Sequence, residues 1–158
     1  MRTALSGLAL LTLAACSPGR AVESWRVLGD LMAGSGPSGL KDVTPAPERA
    51  ATTYQVAGRA YLGDLYRPRT DTRAALVLVP GAAPEGKDDP RLVAFATTLA
   101  RARFTVLVPE IPNLRALRVG PADVGHIADA VRYLAGTRRS NGGIGPIGVV
   151  AISYAAGP

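Results

Sequence analysis

From residue 74 onward the apolar positions of this chain alternate between continuous runs and helically spaced stripes. Residues 74–79 (AALVLV) are apolar without interruption, as in a strand covered on both faces. Pro80-Gly81 ends that run. Asp89 is placed to cap a helix whose first turn accepts Pro90, with Leu92, Phe95, Ala96 and Leu99 following at helical spacing. Residues 104–108 form a second apolar run, closed by Pro109 and Pro112. Val124, Ile127, Ala128, Val131 and Ala135 make the stripe of a helix that begins near Pro121 and stops at Gly136. Residues 147–152 are a third apolar strand. This alternation predicts right-handed crossovers and a mostly parallel, doubly wound sheet with helices on both faces. The fold class is α/β.

Upstream the pattern is less regular. Residues 54–57 and 59–66 read as two short antiparallel strands around Gly58. Residues 33–51 hold Gly34, Gly36, Pro37, Gly39, Pro45 and Pro47 and read as a linker, so ordered structure is expected from about Thr52. Residues 22–32 predict a short amphipathic helix with Trp25, Leu28, Leu31 and Met32 on one side, Trp25 serving to dock it.

Met1 and Arg2 precede an apolar run over residues 4–15, too short to span roughly 30 Å of hydrocarbon but of the length of a secretory signal core. It ends Leu13-Ala14-Ala15-Cys16, which resembles the lipobox of bacterial lipoproteins. That resemblance implies cleavage before Cys16, lipid attachment to its thiol, and an exported protein tethered to a bacterial membrane, the outer one if the host has one. An ordinary signal peptide cut near Ala15 is the alternative. The expected organisation is a lipoprotein signal peptide over 1–15, a lipidated Cys with short helix and linker over 16–51, and one domain over 52–158.

Composition narrows the chemistry. With 47% hydrophobic and 19% charged residues the chain is globular. Its one Cys permits no internal disulfide, and one Cys with one His cannot build a four-ligand zinc site, so no metal is expected. The net charge of +6 comes from arginines scattered among acids, which reads as a basic surface and not a nucleic-acid face. Gly143-Ile144-Gly145-Pro146-Ile147-Gly148 spells Gly-x-Gly-x-x-Gly, but it leads into a strand and contains Pro146, whereas the dinucleotide turn must open a helix. No cofactor is expected.

The candidate chemistry lies after the last strand. Ala151-Ile152-Ser153-Tyr154-Ala155 resembles the nucleophile elbow of the α/β-hydrolase family, Gly-x-Ser-x-Gly, with alanine at both glycine positions. Such a turn needs small residues where strand and helix crowd. Pro80-Gly81-Ala82-Ala83 stands where that family keeps its oxyanion turn, and Asp64-Leu65-Tyr66-Arg67-Pro68 looks like a strand-ending segment of its carboxylesterase-like members. The resemblance covers about residues 52–158. It implies a serine hydrolase of esterase type acting on a small acyl substrate, with Ser153 as nucleophile and the backbone N–H groups of Ala82 and Tyr154 as oxyanion donors. In the family the acid and the His follow the nucleophile, so here they are expected beyond residue 158, and the chain reads as an N-terminal, by itself inactive part. His126, Asp123 and Asp129 read as solvent-facing helix positions. A Ser capping a helix in another doubly wound protein, and a non-catalytic lipoprotein with an α/β binding domain, stay open as alternatives. Three parallel strands with an exposed edge also predict marginal stability.

Overall fold

The computed structural model describes residues 18–140 and 146–156. Five strands form one sheet: β1 (Glu48–Val56), β2 (Arg59–Arg67), β3 (Ala74–Val79), β4 (Phe104–Pro109) and β5 (Ile147–Ala151), in the order β1-β2-β4-β3-β5. β3 pairs in parallel with β4 and β5, while β2 runs antiparallel to both β1 and β4. The parallel part is the one read from the apolar runs. β1 and β2 are joined by Ala57-Gly58, both at positive φ (49° and 77°), with Val56 opposite Arg59. Two such residues make a type I′ hairpin turn, whose twist matches the strands.

Because strand side chains alternate, the sheet buries two different sets of residues. Val77, Val79, Leu65 and Leu107 face α5 (Pro121–Ser140), meeting its Ala130 and Leu134. Leu78, Tyr66, Val106 and Val108 face α3 (Pro90–Arg101), meeting Leu92, Ala96 and Ala100. On the α5 side Tyr54 stacks on Tyr61 and on Tyr133, with ring centroids 5.4 and 4.7 Å apart. β4 lies at the centre, β3 stands between it and β5, and β5 forms an edge of the described sheet, where Val149 is half exposed.

α3 starts as its sequence predicts: Asp89 accepts the Arg91 N–H at 2.8 Å and Pro90 opens the helix. α5 departs from expectation in two ways. It runs through Gly136, which is not among the glycines at positive φ and so does not form the left-handed stop. Its buried face is also rotated from the predicted stripe, leaving Val124 half exposed. The rotation follows from two acids that read as surface charge but are buried. Asp123 occupies the third helical position and accepts the Gly120 N–H at 2.8 Å and an Asn113 amide N–H at 2.9 Å, closing the helix start like a capping box. Asp129 accepts the Tyr61 hydroxyl and pairs with Arg132.

The expected linker is also structured. Within it stand α2 (Gly39–Val43), capped by Ser38, and the first four residues of β1. Charge pairing explains the early strand start: the Arg49 guanidinium donates to buried Asp64 on β2, the Nε hydrogen bond measuring 2.7 Å, and Lys87 approaches the same carboxylate at 3.3 Å. The N-terminal helix α1 (Pro18–Ala33) is longer than the predicted 22–32. It is held by buried Asp30, whose carboxylate accepts from the Ser38 hydroxyl, the Thr98 hydroxyl on α3 at 2.6 Å, and the Lys41 ammonium at 2.8 Å. Burial pushes the Asp30 carboxyl up, but the Lys41, Ser38 and Thr98 donors outweigh that and hold it below its ordinary value.

Candidate active site

The turn after β5 has the geometry that a parallel strand running into a tight corner demands. Ile152 N–H still donates to Val79 on β3 (3.3 Å), and Ser153 then turns at φ 55°. A left-handed serine costs of order 1–2 kcal/mol and lifts its side chain out of the sheet. Ser153 is exposed. Residues 153–156 form a 3₁₀ turn, closed by the Ala155 N–H on the Ile152 carbonyl at 3.2 Å. A turn opened by the Ile152 carbonyl leaves the N–H groups of Ser153 and Tyr154 without an acceptor inside it.

The two alanines that flank the serine have a visible reason to be small. Ala155 is 3% exposed within the α5-side core, and Ala151 packs against the same cluster. Gly81, after β3, lies directly under the turn. A Cβ there would sit 3.3 Å from the Ile152 carbonyl oxygen and 3.5 Å from the Ser153 Cβ. Glycine at 81 therefore lets the Pro80-Gly81-Ala82-Ala83 segment close on the serine. Between them is a cavity of about 370 Å³, whose walls include Gly81, Ala82, Asp89, Leu92, Phe95 and Ser153. That volume lies at the lower end of small-molecule sites. The structure thus brings Ser153 and Ala82 to one cavity, with Tyr154 next in the chain. Cys16 lies outside the described residues.

Among the described residues none beside Ser153 is set up as its base. Asp89 shares the cavity, but the Arg91 guanidinium and backbone N–H hold its carboxyl at about 2, ionised and already engaged as the cap of α3. His126, the chain's single His, is not solvent-facing as expected. Its ring meets Tyr61 edge-on at 5.4 Å, and among the described residues its buried Nδ1 has no hydrogen-bond partner. It lines a different cavity, with Arg59, Tyr61, Leu62, Glu110 and Pro112. Sequence reasoning put His126 at the surface and missed Glu110, whose two buried carboxylate oxygens accept no hydrogen bond among the described residues, the Arg115 guanidinium standing 3.5 Å away. The residues lining that cavity come from β2, the segment just after β4 and α5, so no local spacing advertises it.

Several solved structures are similar. Brefeldin A esterase, a bacterial homologue of human hormone-sensitive lipase, aligns with TM-score 0.55 at 20% identity over 85% of this chain and 39% of that one. A dienelactone hydrolase from Anabaena variabilis gives 0.53 at 19% identity, over 72% and 55%. A cold-adapted esterase from an Arctic intertidal metagenomic library gives 0.51 at 13%, over 70% and 52%. The chain therefore spans about half the length of these proteins, or less. No protein-family model and no curated protein matches the sequence. The strand order, the left-handed Ser153 after the edge strand and these likenesses together give the chain an α/β-hydrolase-like fold.

Proposed function

We propose that the chain is part of a serine hydrolase acting on acyl esters or related small acyl compounds, exported and tethered to a bacterial membrane through lipidated Cys16. The observation that carries the catalytic reading is Ser153: a non-glycine residue at φ 55°, exposed on a cavity, immediately after the strand beside β3. Ser153 Oγ attacks the acyl carbonyl, and the N–H groups of Ala82 and Tyr154 bind the oxygen as it becomes negative. The esterases and dienelactone hydrolases that share the fold support the substrate class. A serine hydroxyl needs an adjacent base to attack at neutral pH. Neither Asp89 nor His126 is placed for that work, so these 158 residues need an acid and an imidazole from further polypeptide.

A fluorophosphonate probe tests this. On the mature protein isolated from cells it labels Ser153, and Ser153→Ala abolishes the label. The 158-residue chain turns over p-nitrophenyl acetate no faster than its Ser153→Ala variant. An unlabelled mature protein would overturn the hydrolase reading and favour a non-catalytic lipoprotein. Ser153-dependent turnover by the 158-residue chain would instead place the base among its own residues, with His126 the first to replace.

A further inference from the structure

α1 is attached to the domain by the wrong face for a docking helix. Its contacts with the rest of the protein run through Asp30, in the Ser38, Lys41 and Thr98 cluster, and through Glu23, which pairs with Arg73. The apolar side is turned outward: Val22, Trp25, Leu28 and Met32 are 51%, 76%, 49% and 83% exposed. At 3.6 residues per turn these four lie on one stripe, and Arg20 and Arg26 fall roughly 120° to either side of its centre. The helix's two acids are both engaged inward, so the charges at the far borders of the apolar stripe are the arginines Arg20 and Arg26.

We propose that this face of α1 lies in the interfacial layer of a phospholipid bilayer, parallel to its surface, with Trp25 and Met32 inserted and Arg20 and Arg26 reaching anionic headgroups. The occupant follows from where the helix starts. Pro18 is two residues from Cys16, and two residues reach at most roughly 7 Å, so a lipid on that thiol holds α1 against the bilayer. A helix of 16 residues is about 24 Å long, shorter than the hydrocarbon core, and carries charges along its length. Among the described residues no helix is long and apolar enough to cross a membrane. An amphipathic helix with a tryptophan on its apolar face and arginines at its borders is suited to lie at the surface. Beneath its first turns, Pro18, Val22, Glu23 and Arg26 line a cavity of about 600 Å³ with Arg101, Arg103 and Asp71, the last two paired with each other. This inference rests on the lipid tether proposed at Cys16; the orientation of α1 is an addition to it.

Trp25 is the only tryptophan and so reports on this face alone. The full protein, exported and lipidated by a bacterial host, is reconstituted in vesicles of phosphatidylethanolamine and phosphatidylglycerol. Flotation with the vesicles reads the tether. Trp25 emission and its quenching by phospholipids brominated near the carbonyl end of the acyl chain read the helix. The expected result is flotation, a blue shift relative to the protein in dilute detergent-free buffer after tether cleavage, and quenching by the brominated lipid. Met32→Glu with Leu28→Glu leaves flotation intact and removes both the shift and the quenching. Flotation with water-like, unquenched Trp25 would overturn the inference while leaving the tether standing. A blue shift without quenching would also overturn it, because protein and not lipid would then cover the face. Failure to float would remove the tether and this inference with it.

Discussion

Asp30→Ala probes what orients α1, and its effect follows from the fate of each group that Asp30 serves. Removing one partner of a buried ion pair costs about 3–5 kcal/mol when the other is stranded. Here most partners have a second acceptor. The Lys41 ammonium also donates to the Gly34 and Gly36 carbonyls at 2.8 and 2.6 Å, and the Thr98 hydroxyl to the Ala94 carbonyl at 3.1 Å. Of the three donors, only the Ser38 hydroxyl loses its sole acceptor among the described residues. The loss is therefore expected at about 2–3 kcal/mol, below the full stranding cost. It falls on the docking of α1, not on the sheet, because Asp30 itself reaches α3 through the Thr98 hydroxyl and makes no described hydrogen bond to a strand. Native-state hydrogen exchange resolves that difference: amides of residues 20–33 should exchange roughly 30- to 150-fold faster, and those of β3 and β4 unchanged. The pH dependence gives a second reading. The folded carboxyl is held below its ordinary value of 3.8, so its contribution is complete above that value and fades as pH falls through the lower folded one. Protection of α1 should thus decline on acidification below pH 3.8 in the wild type and not in Asp30→Ala. Equal protection of α1 in the two proteins at neutral pH would refute this account of its docking.

Three further outcomes follow from single residues. Ser153→Gly relieves the left-handed strain and should raise stability by about 1 kcal/mol in urea unfolding while removing the fluorophosphonate label, so the serine is kept at a cost to the fold. Gly63→Ala places a Cβ 2.8 Å from the Val108 carbonyl oxygen, which is backbone and cannot swing away, so β2 and β4 must separate and urea unfolding should show a loss of about 1–3 kcal/mol. Asp89→Ala should cost about 1 kcal/mol at neutral pH through the lost cap of α3. Because the folded Asp89 carboxyl sits at about 2, the difference between variant and wild type should persist above pH 3.8 and vanish as pH approaches 2.

The parts of the fold that were legible in the sequence are those where one physical signal dominates. Continuous apolar runs became β3 and β4 because a central parallel strand is covered on both faces, and Asp89-Pro90 became a helix start because cap and imino acid act locally. The errors came where distant partners decide. Asp123 and Asp129 look like surface charge until Asn113 and Tyr61 arrive from other elements. The Gly/Pro-rich stretch looked like a linker because neither Arg49 with Asp64 nor Lys41 with Asp30 shows in local composition. The serine turn was readable from its small flanking residues and preceding strand. The approach of Gly81 to Ser153 was not, since it joins positions 72 residues apart across two neighbouring strands.

The stacked tyrosines on the α5 side give the molecule an optical property separate from that of α1. Tyr54, Tyr61 and Tyr133 are rigidly arranged rings in a chiral core and contribute a near-ultraviolet circular dichroism band below the tryptophan region. Trp25, exposed on the opposite terminal helix, contributes fluorescence and little fixed asymmetry. The two signals report on different ends of one polypeptide without any added label. Followed together through a denaturant series, they tell whether the first helix and the sheet come apart in one event or in two.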